Sequence, residues 1–181
     1  MPILKKSSYT IKDIYALPEG ERAELIDGRI YAMAPPNRLH QKLVMELSHV
    51  IKSYIEKNKG ECEVYPSPFA VFLNKDEKIY VEPDISVICD KDKLNDRGCV
   101  GAPDFVIEVV SKSSRKMDYT TKNALYSDAG VREYWIVDPE KERTTIYYYE
   151  QDEAPMISLF TQTIQSGIYE GLEINISELL K

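Results

Sequence analysis

Two runs decide how this chain folds: Val81-Glu82-Pro83-Asp84-Ile85-Ser86-Val87-Ile88 and Pro103-Asp104-Phe105-Val106-Ile107-Glu108-Val109-Val110. Each is apolar and β-prone except for its carboxylates, so each reads as a buried strand. A glutamate at the centre of such a strand puts a charge where burial costs several kcal/mol unless something compensates it. A divalent cation is the obvious compensator. Period-two alternation sets Asp104, Val106, Glu108 and Val110 on one face of the second strand, and Asp84, Ser86 and Ile88 on one face of the first. If the strands are neighbours, the carboxylates of Asp84 and Glu108 converge.

Downstream, residues 117–129 have helical spacing with a lysine inside the apolar face. At 100° per residue Lys122 falls between Leu125, Tyr126 and Ala129, facing the sheet, with Asp118 one turn earlier on the same side. Lys112 lies beyond the strand's end and Lys116 projects onto the polar side, so Lys122 is the lysine that can reach the carboxylates. Upstream, residues 24–33 read as a β-hairpin, because Asp27-Gly28 between β-prone runs favours a type I′ turn, and Glu24 opens it. Pro35-Pro36-Asn37 then leads into a helix over residues 38–57, which carries His40 near the middle of its apolar arc and His49 on the opposite side. A short helix capped by Thr10 precedes the hairpin.

Residues 62–65 and 69–73 are strand-like, residues 90–101 read as a solvated loop, and residues 133–138 and 143–150 form a further hairpin. More strand over 156–160 and 168–174 and a helix over 177–180 complete the chain. This order predicts an α/β (α+β) fold: a central mixed β-sheet flanked by helices, with extra antiparallel hairpins.

At 181 residues the length suits one domain, 1–181, and leaves little room for two. No apolar run follows Lys5-Lys6 and none reaches membrane-spanning length, so a cytoplasmic protein with no membrane partner is expected. The three cysteines, Cys62, Cys89 and Cys99, show no Cys-x-x-Cys spacing, so neither zinc nor a disulfide is expected. A net charge of −7 excludes nonspecific coating of nucleic acid, which needs cations to displace phosphate counterions, but not a local cationic site.

Carboxylates on rigid strands, with a cation nearby, are what a metal-dependent phosphodiesterase needs: the acids fix an ion that activates water, and the cation offsets charge developing on phosphate. Asp84, Glu108 and Lys122 suit those roles. Each also has a plainer reading: Asp84 as a turn residue after Pro83, Glu108 as the partner of an arginine, Lys122 as a lysine whose stem covers the sheet, Glu24 as an ordinary start of a hairpin. His40 either donates to a phosphate or satisfies a backbone group at the helix start. Serine-hydrolase elbows, His-Glu-x-x-His and phosphate-binding glycine loops are absent.

With Pro83-Asp84, Glu108, Lys122-Asn123-Ala124-Leu125-Tyr126, residues 101–111, residues 130–139 and Glu24-Leu25-Ile26-Asp27-Gly28, the chain resembles the Uma family of putative restriction endonucleases, within the PD-(D/E)XK nuclease superfamily. The likeness spans residues 9–180. It implies a restriction-endonuclease-like core that hydrolyses DNA, with Mg²⁺ or Mn²⁺ held by Asp84, Glu108 and the Val109 carbonyl and Glu24 as an accessory acid. The superfamily's usual lysine, two residues after the glutamate, is Val110 here, and the resemblance implies that its role moves to Lys122. The alternative is a catalytically silent nuclease-like fold that binds nucleic acid or protein. A homodimer is expected, its surface supplied by the aromatic C-terminal hairpins, so that two sites face two strands.

Overall fold

The computed structural model describes residues 8–74, 76–151 and 153–181. The chain opens with α1 (Ile11–Tyr15), where the Thr10 N–H donates to Asp13 Oδ2 at 2.7 Å. β1 (Ala23–Ile26) and β2 (Arg29–Ala32) form the expected hairpin, and Asp27 and Gly28 both have positive φ, 50° and 73°, as a type I′ turn requires. α2 (Arg38–Lys57) follows, its first turn closed by Asn37, whose side-chain oxygen accepts the His40 N–H at 2.9 Å. Then come β3 (Glu63–Pro66), β4 (Val71–Phe72), β5 (Ile85–Ile88), β6 (Leu94–Asn95), β7 (Gly98–Val100) and β8 (Phe105–Val109). A π-helical stretch, Met117–Lys122, runs directly into α3 (Asn123–Ala129). β9 (Glu133–Asp138), β10 (Arg143–Tyr148), β11 (Met156–Leu159), β12 (Thr163–Gln165), β13 (Glu173–Asn175) and α4 (Ile176–Leu179) finish the chain.

The main sheet has the order β11-β10-β9-β8-β5-β3. Its β8–β9 pair is parallel and its other pairs are antiparallel, so the sheet is mixed. A parallel pair needs a crossover, and the π-helical stretch with α3 supplies it. Alternation along the strands is strict. Ile85, Val87, Phe105, Ile107, Trp135 and Val137 meet Leu43, Leu47 and Ile51 of α2. Ile88, Val106, Val110, Tyr134 and Ile136 cluster on the opposite face with Tyr126 of α3 and Ile26 of the hairpin. Glu108 belongs to this second face, beneath the crossover helix.

Several local expectations need correction. The stretch 90–101 is not a solvated loop: Cys99 of β7 is fully buried, and β7 pairs in parallel with β4 and antiparallel with β6. Gly98 makes this possible at φ 135°, because a Cβ there would lie 2.2 Å from the Ala70 carbonyl oxygen. The first carboxylate run is not one strand either. Val81 makes an isolated bridge to Val71, and the ladder of β5 starts only at Ile85, after Pro83, which has no N–H to donate. Of the strand expected over 168–174, only its end lies in β13; Ile168 instead donates its N–H to Glu133 Oε2 at 3.1 Å.

The cysteines also depart from expectation. Cys62 and Cys89 form a disulfide, and Cys99 is a free, buried thiol. The cause is register: Glu63 pairs with Ile88 across β3 and β5, which brings the next two residues, Cys62 and Cys89, opposite each other. No helix among the described residues is long and apolar enough to cross a membrane.

Candidate active site

The β5–β8 register pairs Ile85 with Ile107, and one step further it sets Asp84 opposite Glu108. Like charges facing each other across strands repel, so this pair needs positive partners. Asp84 Oδ2 accepts the Val109 N–H at 2.8 Å and lies 3.1 Å from His40 Nε2. The Asp84 N–H in turn points at Glu108 Oε2, 3.4 Å away. His40 reaches the sheet from the first turn of α2, its side chain 13% exposed. Burial lowers the affinity of its ring for a proton, but the hydrogen bond and charge of Asp84 outweigh that and raise it above the ordinary histidine value.

Glu108 Oε1 is held from the crossover helix by Lys122 Nζ at 2.8 Å and by the Tyr126 hydroxyl at 2.7 Å. The same ammonium lies 2.9 Å from Glu24 Oε1 and 4.0 Å from Asp118 Oδ1. Lys122 and Tyr126 are one turn apart, so a single helix face delivers both donors. The wider π-helical turn over Met117–Lys122 carries Asp118 and Lys122 inward together, at 1% and 5% exposure. Such interruptions of α-helix often accompany functional sites.

Three acids, Glu24, Glu108 and Asp118, thus surround one ammonium, and Asp84 adjoins Glu108. Burial drives the Glu108 carboxyl well above the ordinary range, with Lys122 opposing and the neighbouring acids adding to the rise. Burial likewise pushes Asp118 up to about 6. For Lys122, burial works against the charge but the three carboxylates prevail, so the ammonium is retained. The excess of acid over base is what a bound cation would relieve.

At the rim, Arg22 Nε donates to Glu82 Oε2 at 2.9 Å, Arg22 Nη2 also meets that oxygen, and Nη2 donates to Ser67 Oγ at 2.8 Å. Glu82 Oε1 accepts the Tyr80 hydroxyl at 2.6 Å, and the Glu82 N–H donates to Glu24 Oε1 at 3.0 Å. All these groups except Tyr80 line one open cleft of about 480 Å³ that reaches Asp84, Glu108 and Lys122.

The donor set fits a hard cation. Asp84 and Glu108 offer oxygen only, they adjoin each other, and the buried Asp118 Oδ1 has no hydrogen-bond donor among the described residues. In the arrangement observed, no three His, Cys, Asp or Glu side chains among the described residues are gathered as a ready-made cage. Mg²⁺ does not require one, since it is commonly held by one or two carboxylates with water and phosphate oxygens completing the shell.

Every residue singled out in the sequence therefore meets at one place: Asp84, Glu108, Lys122, Glu24, His40 and Val109. Val109 takes part through its N–H, bonded to Asp84. Val110 sits in the core at 6% exposure, a position where a lysine would be buried among apolar side chains. Lys112 is 87% exposed and faces Glu140, and Asp104 is occupied with the Cys89 N–H at 2.8 Å, away from the cluster. Three contributors were not anticipated. Tyr126 had a usable signal in its spacing, one turn beyond Lys122, whereas Arg22 and Glu82 gave none, because their meeting spans 60 residues of sequence.

A family model described as "Putative restriction endonuclease" (Uma2) matches residues 11–177. Among curated proteins, the chain is 27% identical over 133 residues to the uncharacterized protein slr1290 of Synechocystis sp., covering 73% of this chain and 68% of that one. It is also 27% identical over 121 residues to the uncharacterized protein sll1609 of the same organism, covering 65% and 67%. The crystal structure of a putative nuclease belonging to DUF820 from Anabaena variabilis superposes with a TM-score of 0.76 at 20% identity, covering 94% of this chain and 96% of that one. At that identity the likeness speaks for the fold.

Proposed function

Because the chain belongs to the Uma2 family of putative restriction endonucleases, we propose that it is a metal-dependent nuclease that hydrolyses DNA phosphodiester bonds. The observation that carries this reading is the Lys122 ammonium lying 2.8 Å from Glu108 and 2.9 Å from Glu24, with Asp84 adjoining Glu108. Mg²⁺ or Mn²⁺, held by Asp84 and Glu108 with the Val109 carbonyl, would polarise the phosphate and lower the pKa of the attacking water. The chain's own groups prepare that chemistry. The Val109 N–H and His40 fix the orientation of Asp84. Tyr126 and Lys122 fix that of Glu108, and Glu24 keeps Lys122 aimed into the cleft. Lys122 offsets the charge that gathers on phosphate as the new P–O bond forms, while His40, whose Nε2 faces Asp84 and whose Nδ1 is buried, acts through that carboxylate rather than on the phosphate. Incubating supercoiled, linear and single-stranded DNA with Mg²⁺ or Mn²⁺ tests this, with cleavage expected and chelation abolishing it. Uncut DNA with folded protein in both metals would reject it.

A second reading, a catalytically silent module that binds nucleic acid or protein, draws on one feature: the Lys122 ammonium already has carboxylate partners on two sides. Calorimetry with Mn²⁺ separates the two readings in part, because a silent module has no need of an ion bound through Asp84 and Glu108.

A homodimer belongs to the same proposal, through the C-terminal hairpins as first expected but by an edge strand rather than by their tyrosines. The tyrosines of the hairpin are engaged internally, Tyr148 with the Gln165 carbonyl and Tyr149 with Asn123. Exposed apolar side chains stand instead on the edge strand β11, with Ile157 58% and Leu159 53% exposed. Light scattering decides it: a monomeric mass at micromolar concentration removes the dimer.

A further inference from the structure

We propose that Arg22 is a phosphate-binding residue of this cleft, gripping a backbone phosphate that flanks the scissile bond. The inference rests on the nuclease reading and adds to it a part of the substrate that the acids do not touch. A nucleic-acid strand entering this cleft meets five carboxylates, Glu24, Glu82, Asp84, Glu108 and Asp118. Lys122 cannot hold that strand at the rim, because its side chain is 6% exposed and shared between Glu24 and Glu108.

Arg22 is placed differently. Its side chain is 37% exposed and lines the same cleft. Glu82 and Ser67 take the Nε and Nη2 edge of the guanidinium, and Nη1 makes no hydrogen bond among the described residues. Nε and both N–H groups of Nη2 are thereby engaged, which leaves the two N–H groups of Nη1 to donate to a phosphate oxygen from a cation whose plane is already fixed. Ser67 adds to the subsite, since its Oγ accepts from Arg22 and its own O–H remains to donate.

The residues that hold Arg22 are themselves tied to the acidic cluster. The Ser67 N–H donates to the Asp84 carbonyl at 2.9 Å, and the Glu82 N–H donates to Glu24 Oε1 at 3.0 Å. These two short links set the distance between the guanidinium and the carboxylates, so a strand held by Arg22 is registered against Asp84 and Glu108.

The test compares wild type with Arg22→Lys and with the charge-neutral double variant Arg22→Gln/Glu82→Gln, which avoids an unpaired Glu82 and keeps the net charge. Binding of a short DNA duplex is followed by anisotropy over a salt series with the metal chelated, and KM and kcat are measured with Mn²⁺. For the double variant, the slope of log K against log salt should fall by about one, as for one lost phosphate contact. KM should rise severalfold, by more than kcat falls. Arg22→Lys should keep the slope and still raise KM, because an ammonium cannot hold Glu82 and Ser67 while presenting a donor fixed in place to the phosphate. A folded double variant with wild-type slope and KM overturns the assignment while leaving the nuclease standing. If the double variant fails to fold, Arg22→Lys decides, and a wild-type KM there overturns it. If wild type neither binds nor cuts DNA, the nuclease reading falls and this inference falls with it.

Discussion

Lys122 Nζ lies 2.8 Å from Glu108 Oε1, and the two come from different elements of one β-α-β unit, the strand β8 and the helix that crosses over to β9. A lysine two residues after the glutamate would share its strand face; here that position is Val110, in the apolar layer. The ammonium beside Glu108 comes instead from the helix, whose π-helical turn carries Lys122 inward.

Removing Lys122 should therefore cost the fold as well as any activity. Lys122→Met leaves Glu24, Glu108 and Asp118 buried without their cation, a change that typically costs about 3–5 kcal/mol. Urea denaturation in the presence of chelator measures it. The double variant Lys122→Met/Glu24→Gln should regain part of the loss, because one uncompensated charge is gone. Equal stability of Lys122→Met and wild type would mean the lysine carries no structural charge balance.

Asp84→Asn should separate chemistry from stability. The amide oxygen still accepts the Val109 N–H, so the fold should change little. The anionic donor is lost, and cleavage should fall by at least about 100-fold, since several kcal/mol of transition-state stabilisation depend on a properly held ion. Circular dichroism and a cleavage time course on the same preparation check both halves. Near-wild-type cutting would remove Asp84 from the metal site.

Much of this site was legible because period-two and period-3.6 arithmetic fixes which side chains share a face. Asp84 with Glu108, and Lys122 with Tyr126, are placed by that arithmetic once β5 neighbours β8. His40 follows in the same way from the apolar arc of α2. What could not be read depends on approach between distant segments. β6 and β7 are too short to show a period, and they exist because Gly98 lets the chain pass the Ala70 carbonyl. Arg22 and Glu82 meet only after the hairpin docks, shown by the Leu25–Tyr80 bridge. The Cys62–Cys89 pairing is a register effect, invisible to a rule based on cysteine spacing.

Asp118 predicts a pH dependence. Burial raises its carboxyl from the ordinary aspartate range to about 6, so the folded chain holds this proton more tightly than the unfolded one. Its contribution to stability is then fully present below the unfolded value of about 3.9 and is lost as pH rises through about 6. In chelator, denaturation midpoints of wild type should decline relative to Asp118→Asn between about pH 4 and 6, then run parallel above that range. Parallel curves throughout would show that Asp118 titrates as an ordinary exposed acid.

The disulfide gives the remaining prediction. Cys62 and Cys89 are 27 residues apart, and closing a loop of that length restricts the unfolded chain by up to about 3.5 kcal/mol. Protein purified without reductant and unfolded in urea should titrate one thiol, that of Cys99. After reduction it should titrate three, and the urea midpoint should drop. Cys62→Ser/Cys89→Ser should reproduce the reduced midpoint and be insensitive to reductant. Cys62 directly precedes β3, an edge strand of the main sheet, and β3 is also joined to β5 by its own ladder. The loss should therefore appear as easier exchange of amide hydrogens in β3 before any change in β8, which lies on the far side of β5. Three thiols in the unreduced protein would leave Cys62 and Cys89 as neighbouring reduced residues and remove the stabilising link.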